Sequence, residues 1–150
     1  MQAFKLTLIQ HCRTYLQDKI TALNAMILEL TESANADTKS TAGDKHETSR
    51  AMVQLEQEKL GQQLKDAELQ LLEFDKTDFS KTPSVVGQAS LVETDKGLFF
   101  IATSIGKLEL EGMPVFVISH KSPLALALNG AKLHDEISFN TVHYRINRIN

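Results

Sequence analysis

The 150-residue chain has one cysteine, Cys12, so neither an intrachain disulfide nor a cysteine-based zinc site can be assembled. It has no tryptophan, and its three prolines, Pro83, Pro114 and Pro123, all fall in the second half. No apolar run approaches the roughly 18 residues of a membrane span, and the opening MQAFKLTLIQHCRTY lacks the cleavage pattern of a signal peptide. These absences predict a soluble cytoplasmic protein that does not engage a membrane. A large excess of positive charge is also missing: 16 Lys and Arg against 19 Asp and Glu leave a formal charge of −3. That balance argues against a protein that coats phosphates or binds DNA directly by sequence. The five histidines form no HxxxH or HxH pair, and the chain carries no GxSxG elbow, Walker loop or GxGxxG. No self-contained active site is visible.

What is present is unevenly distributed. Residues 1–75 carry eight Lys/Arg and twelve Asp/Glu, and only two glycines, Gly43 and Gly61. Residues 76–150 carry eight and seven, with five glycines and every proline. This predicts a helical half followed by a strand-rich half with turns. In the first half, Ile9, Cys12, Leu16, Ile20, Leu23, Ile27, Leu30 and Ala34 recur in steps of three and four. Leu60, Leu64, Ala67, Leu71 and Phe74 form a second such series, with Val53 one heptad ahead of it. The polar stretch SANADTKSTAGDKHETS separates the two. Matching seams with one polar break predict an antiparallel coiled-coil hairpin with the break at its tip. Periodicity alone favours a dimerisation coiled coil or a rigid spacer.

The segment Glu73–Ser84 breaks the helical pattern and contains Pro83, so it reads as a linker. The resulting division is a hairpin over 1–75, a linker over 76–84 and a second domain over 85–150. In that domain, Val85–Val92, Leu98–Thr103, Met113–Ile118, Ile137–Phe139 and Val142–Ile149 are short apolar runs, with a turn at Thr94–Gly97. Between them lies SPLALALNG, where Ser122 suits a helix N-cap, Pro123 the first turn and Gly130 the residue after the last. One short helix on a small antiparallel sheet makes the class α+β.

One acidic pair stands in an unusual place. Asp44 and Glu47, three residues apart in GDKHE, fall at the expected tip. Two carboxylates at that spacing can hold a hard divalent ion that keeps some of its water. The same spacing describes a capping box that starts the second helix. Two carboxylates are too few for a tight magnesium site, so any catalytic use requires ligands from a partner.

The motifs Gly43-Asp44-Lys45-His46-Glu47, Ser122-Pro123-Leu124-Ala125-Leu126-Ala127-Leu128-Asn129-Gly130 and Asp135-Glu136-Ile137, in this order, resemble those of the Gre family of bacterial transcript cleavage factors. The resemblance spans nearly the whole chain, and its C-terminal motif is the more specific. It implies an N-terminal hairpin followed by an FKBP-like domain that is not a working isomerase. It implies a partner, RNA polymerase, whose secondary channel receives the hairpin while the second domain docks at the rim, with Ser122 and Pro123 matching the docking loop. It further implies that Asp44 and Glu47 help hold a Mg2+ ion shared with the polymerase active site. Backtracked RNA would then be cleaved near its 3′ end, which the factor contacts only indirectly. On this reading the chain is an accessory factor and not an enzyme. The family generally carries an aromatic shortly after the glutamate, whereas here Glu47 is followed by Thr48, Ser49, Arg50, Ala51 and Met52. A non-cleaving regulator that enters the same channel and a coiled-coil interaction scaffold are the alternatives.

Overall fold

A computed structural model describes the backbone of residues 1–37 and 43–150 and the side chains of residues 1–36 and 47–150. Two long helices come first, α1 over Gln2–Asp37 and α2 over Gly43–Lys76. Neither contains proline. Both run further into the polar stretch than its missing periodicity predicts. Once a helix is nucleated and packed, each added residue costs little, and Ala, Glu, Lys and Arg propagate it well. No helix among the described residues is long and apolar enough to cross a membrane.

The chain divides into two compact units, Arg13–Glu73 and a second made of Met1–Cys12 with Phe74–Asn150. In the first unit, Leu23, Leu60 and Ala67 are buried against one another, with Ile20, Ile27, Leu30 and Leu64 half-buried around them. These are the predicted seam positions. Met52 and Leu55, which flank the seam, are 67% and 66% exposed. A connection of five residues spans at most about 18 Å, far less than either helix, so α1 and α2 pack antiparallel. A polar contact fixes their register: Thr31 Oγ1 donates back to the Ile27 carbonyl at 2.8 Å and accepts from Gln57 Nε2 at 3.3 Å.

The second unit holds a six-stranded sheet: β1 (Leu91–Thr94), β2 (Gly97–Ile101), β3 (Gly106–Leu110), β4 (Met113–Ile118), β5 (Glu136–Phe139) and β6 (Val142–Ile149), with the short helix α3 (Pro123–Leu128) between β4 and β5. The strand order is β3-β4-β2-β1-β6-β5. The α+β class holds, but the sheet is mixed and not wholly antiparallel, because β2 and β4 run parallel. The reason is β3, an edge strand absent from the predicted runs. It lies two places from β2, and β4 turns back into the place between them, so two reversals leave β2 and β4 pointing the same way.

Turn chemistry sets the hairpins. Asp95 and Lys96 link β1 to β2, and Thr94 Oγ1 accepts from the Lys96 N–H at 3.1 Å while donating to the Gly97 carbonyl at 2.9 Å. Between β3 and β4, Glu111 and Gly112 both take positive φ, 53° and 77°, the pattern of a two-residue hairpin turn that follows strand twist.

All four residues Leu98–Ile101 are buried, so β2 is covered on both faces. On one side Val92, Ile101 and Ile146 meet Ala125 and Leu128 of α3. Phe100, one residue out of phase with Ile101, turns the other way. Its ring lies 5.7 Å from Phe79, which in turn lies 5.0 Å from Phe74 at the end of α2. The segment read as a linker is therefore anchored by an aromatic stack within this unit.

Candidate functional site

The acidic motif opens α2. Gly43 already belongs to the helix, so Asp44 stands inside the first turn instead of ahead of it as an N-cap, and positions 44 and 47 share one helical face. The side chain of Asp44 lies outside the described residues. Glu47 is exposed, and so are Thr48, Ser49, Arg50, Ala51 and Met52. A helix packed on a partner covers some position in every turn or so. Among the described side chains of α2, which begin at Glu47, the first covered position is Val53.

The register explains this. Beyond Thr31, α1 continues for six residues to Asp37, whereas α2 starts fourteen residues before Gln57. The first two turns of α2, about 12 Å at 1.5 Å per residue, therefore lie beyond the level of Asp37, the last described residue of α1. Sequence periodicity places the motif on a turn at the tip; in the structure residues 43–47 are helical and open α2. Carboxylates in the opening turns of a helix also offset the positive end of its dipole.

Ser122 and Pro123 lie in the other compact unit, in a setting that accounts for them structurally. Ser122 is the N-cap of α3, with φ −66° and ψ 151°, and its Oγ accepts from the Ala125 N–H at 3.3 Å. Pro123 occupies the first helical position, where the missing N–H costs nothing. Ala125 and Leu128 face the core, while Leu126 is 63% exposed. Gly130 takes φ +82° and donates its N–H to the Val86 carbonyl at 2.8 Å, ending the helix and tying it to the start of the domain. Asp135 Oδ2 accepts from the Lys132 N–H at 2.8 Å, closing a turn before β5. The residues that made the C-terminal motif specific are thus the caps and turns of one helix and its exit. Pro123 and Leu126 remain on the surface.

Among the described residues, no three His, Cys, Asp or Glu side chains converge as a metal-binding group. The donor set at the head of α2 suits a contributor to a shared ion better than a self-sufficient site, since it offers at most two carboxylates. Cys12 is fully buried, and burial pushes its thiol up to about 12, which leaves it unreactive at neutral pH.

The helical pair in one unit and the mixed sheet with its short helix in the other define an α+β protein. No protein-family model matches the sequence. No curated protein matches it either. Among solved structures, the chain is similar to that of the transcription factor Gfh1, at 17% identity over 91% of this chain and 92% of that one, with a TM-score of 0.36. No residue role is carried over from that likeness.

Proposed function

We propose that this chain is a Gre-like transcription elongation factor that binds RNA polymerase in its secondary channel and stimulates cleavage of backtracked RNA. The observation that carries the reading is Glu47, exposed on the opening turns of α2. On this reading residues 1–75 form the arm, 76–84 the connection and 85–150 the docking domain, with Ser122 and Pro123 at the docking loop. Asp44 and Glu47 would hold a Mg2+ ion shared with the polymerase. Such an ion supplies charge neutralisation and an activated water for phosphodiester hydrolysis. The chain's own task is positional: a helix fixes the separation of its carboxylates and delivers them together, so little conformational freedom remains to be lost when the shared site closes. The factor acts as an accessory and relies on the polymerase for the remaining ligands.

The missing aromatic after Glu47 favours a second reading, a channel-binding regulator that does not cleave. A stalled, backtracked elongation complex separates the two. Wild-type protein is expected to shorten the RNA from its 3′ end, and Asp44→Ala with Glu47→Ala to lower that rate by at least about 100-fold while polymerase binding persists. Binding without shortening selects the regulator. Absence of binding leaves a coiled-coil scaffold.

A further inference from the structure

The sheet of the second unit ends at β3, whose outer side pairs with no strand among the described residues. An unpaired edge presents a row of backbone donors and acceptors to any chain that can match it. Which residues present them follows from the hairpin. A two-residue turn closes on a hydrogen-bonded pair, here Leu110 and Met113, and such pairs alternate along an antiparallel ladder with pairs that do not bond. Leu108–Val115 and Gly106–Val117 therefore bond, whereas Glu109–Pro114 and Lys107–Phe116 do not. The proline agrees with this phase: Pro114, which has no N–H, falls where none is owed to β3. The backbone N–H and C=O groups of Lys107 and Glu109 thus point away from β4, out of the sheet.

The side chains add a pattern. Lys107 and Glu109 share one face of β3 and are both exposed, while Leu108 between them is half-buried on the other. Charges on an edge strand ordinarily keep other strands away. The sequence GKLEL does the reverse in one arrangement. Two copies of β3 placed antiparallel about a two-fold axis at Leu108 set Lys107 of each directly across from Glu109 of the other. The same register pairs the residues whose backbone groups face outward, so Lys107 and Glu109 also exchange N–H···O=C bonds across the axis. Leu108 meets its own copy as a non-hydrogen-bonded pair, with Cα atoms about 4.5 Å apart and side chains in contact. A slip of one residue sets Lys107 against Leu108, and the backbone groups then fall out of phase. Backbone, charge and apolar contact all select the same register. The opposite edge, β5, has no such complement, because Glu136 is its one charge.

We infer that the outer edge of β3 pairs with the same edge of a second copy of this chain, giving an isologous dimer whose sheet continues across the two-fold axis. A ladder five residues long buries less than the roughly 1,200 Å² of a stable complex, so the association is weak and shifts with concentration. It uses neither Asp44–Glu47 nor Ser122–Pro123, and it does not depend on the proposed role in transcription.

The test is sedimentation velocity of the full chain at low ionic strength, from micromolar to millimolar concentration. A sedimentation coefficient that rises along a monomer–dimer isotherm is expected. Lys107→Glu sets glutamates against each other on both sides of the axis, and it is expected to weaken the dimer about tenfold or more. Glu109→Lys is expected to do the same with lysines. Both side chains are exposed, so each variant is expected to keep the wild-type melting temperature at micromolar concentration. The reversed chain, carrying Lys107→Glu and Glu109→Lys together, is expected to restore the dimer, and so is an equimolar mixture of the single variants. A wild-type chain that stays monomeric at millimolar concentration overturns the proposal. A dimer indifferent to both single variants overturns it as well, and assigns association to another surface such as the helical seam. Weakening by the single variants with no recovery in the reversed chain or the mixture also overturns it.

Discussion

The two compact units are held together in different ways. In the hairpin unit each helix contributes one stripe, and a buried residue such as Leu23 has partners on a single side. In the sheet unit β2 is covered on both faces, by α3 on one and by the Phe74–Phe79–Phe100 stack on the other. The hairpin thus spreads modest contacts over a long line, while the sheet concentrates them on a few residues. A two-helix stripe tolerates change and leaves most of its surface available. A doubly covered strand cannot give up a side chain without opening a cavity.

The largest expected effect tests this concentration. Phe100→Ala should destabilise the sheet unit by about 3–5 kcal/mol, whereas Leu23→Ala should cost the hairpin nearer 2 kcal/mol. Denaturant unfolding of both variants measures the pair, and equal losses would erase the distinction. Gly61→Ala should act in the opposite direction. Gly61 lies in the interior of α2, and a Cβ added there meets nothing within 4 Å, so the hairpin should gain about 0.5–1 kcal/mol. A loss on thermal unfolding would mean that the position is closed.

The smallest effect concerns pH and belongs to the sheet unit. The Arg145 N–H donates to Asp95 at 2.8 Å and holds its carboxyl below the ordinary aspartate value, with Lys96 adding to the shift. A lowered folded pKa means that the unfolded chain takes up the proton first. The contribution is therefore complete above the unfolded pKa and is lost as pH falls through the folded one. Asp95→Asn should flatten this acid-side slope while leaving the slope above it unchanged, as read from melting temperature against pH.

The seam was legible because helical contacts are local: the spacing that defines it is the spacing of residues along one helix. Other features were not, and for particular reasons. The strand β3, GKLEL, offers only Leu108 and Leu110 as apolar signal, since Lys107 and Glu109 point to solvent at the sheet edge. The parallel pairing of β2 with β4 is a fact about non-adjacent segments, which no local pattern encodes. The tip was read as a loop because Ser33–Ser49 lacks apolar periodicity. Of this stretch, residues 33–37 and 43–49 are nevertheless helical. The caps Ser122 and Gly130 were readable because their chemistry is confined to a few consecutive residues.

The helical start of α2 also fixes a spacing. At about 1.5 Å and 100° per residue, positions 44 and 47 are about 4.5 Å apart along the axis and about 60° apart around it. Any partner that meets both positions must therefore approach the helix from one side.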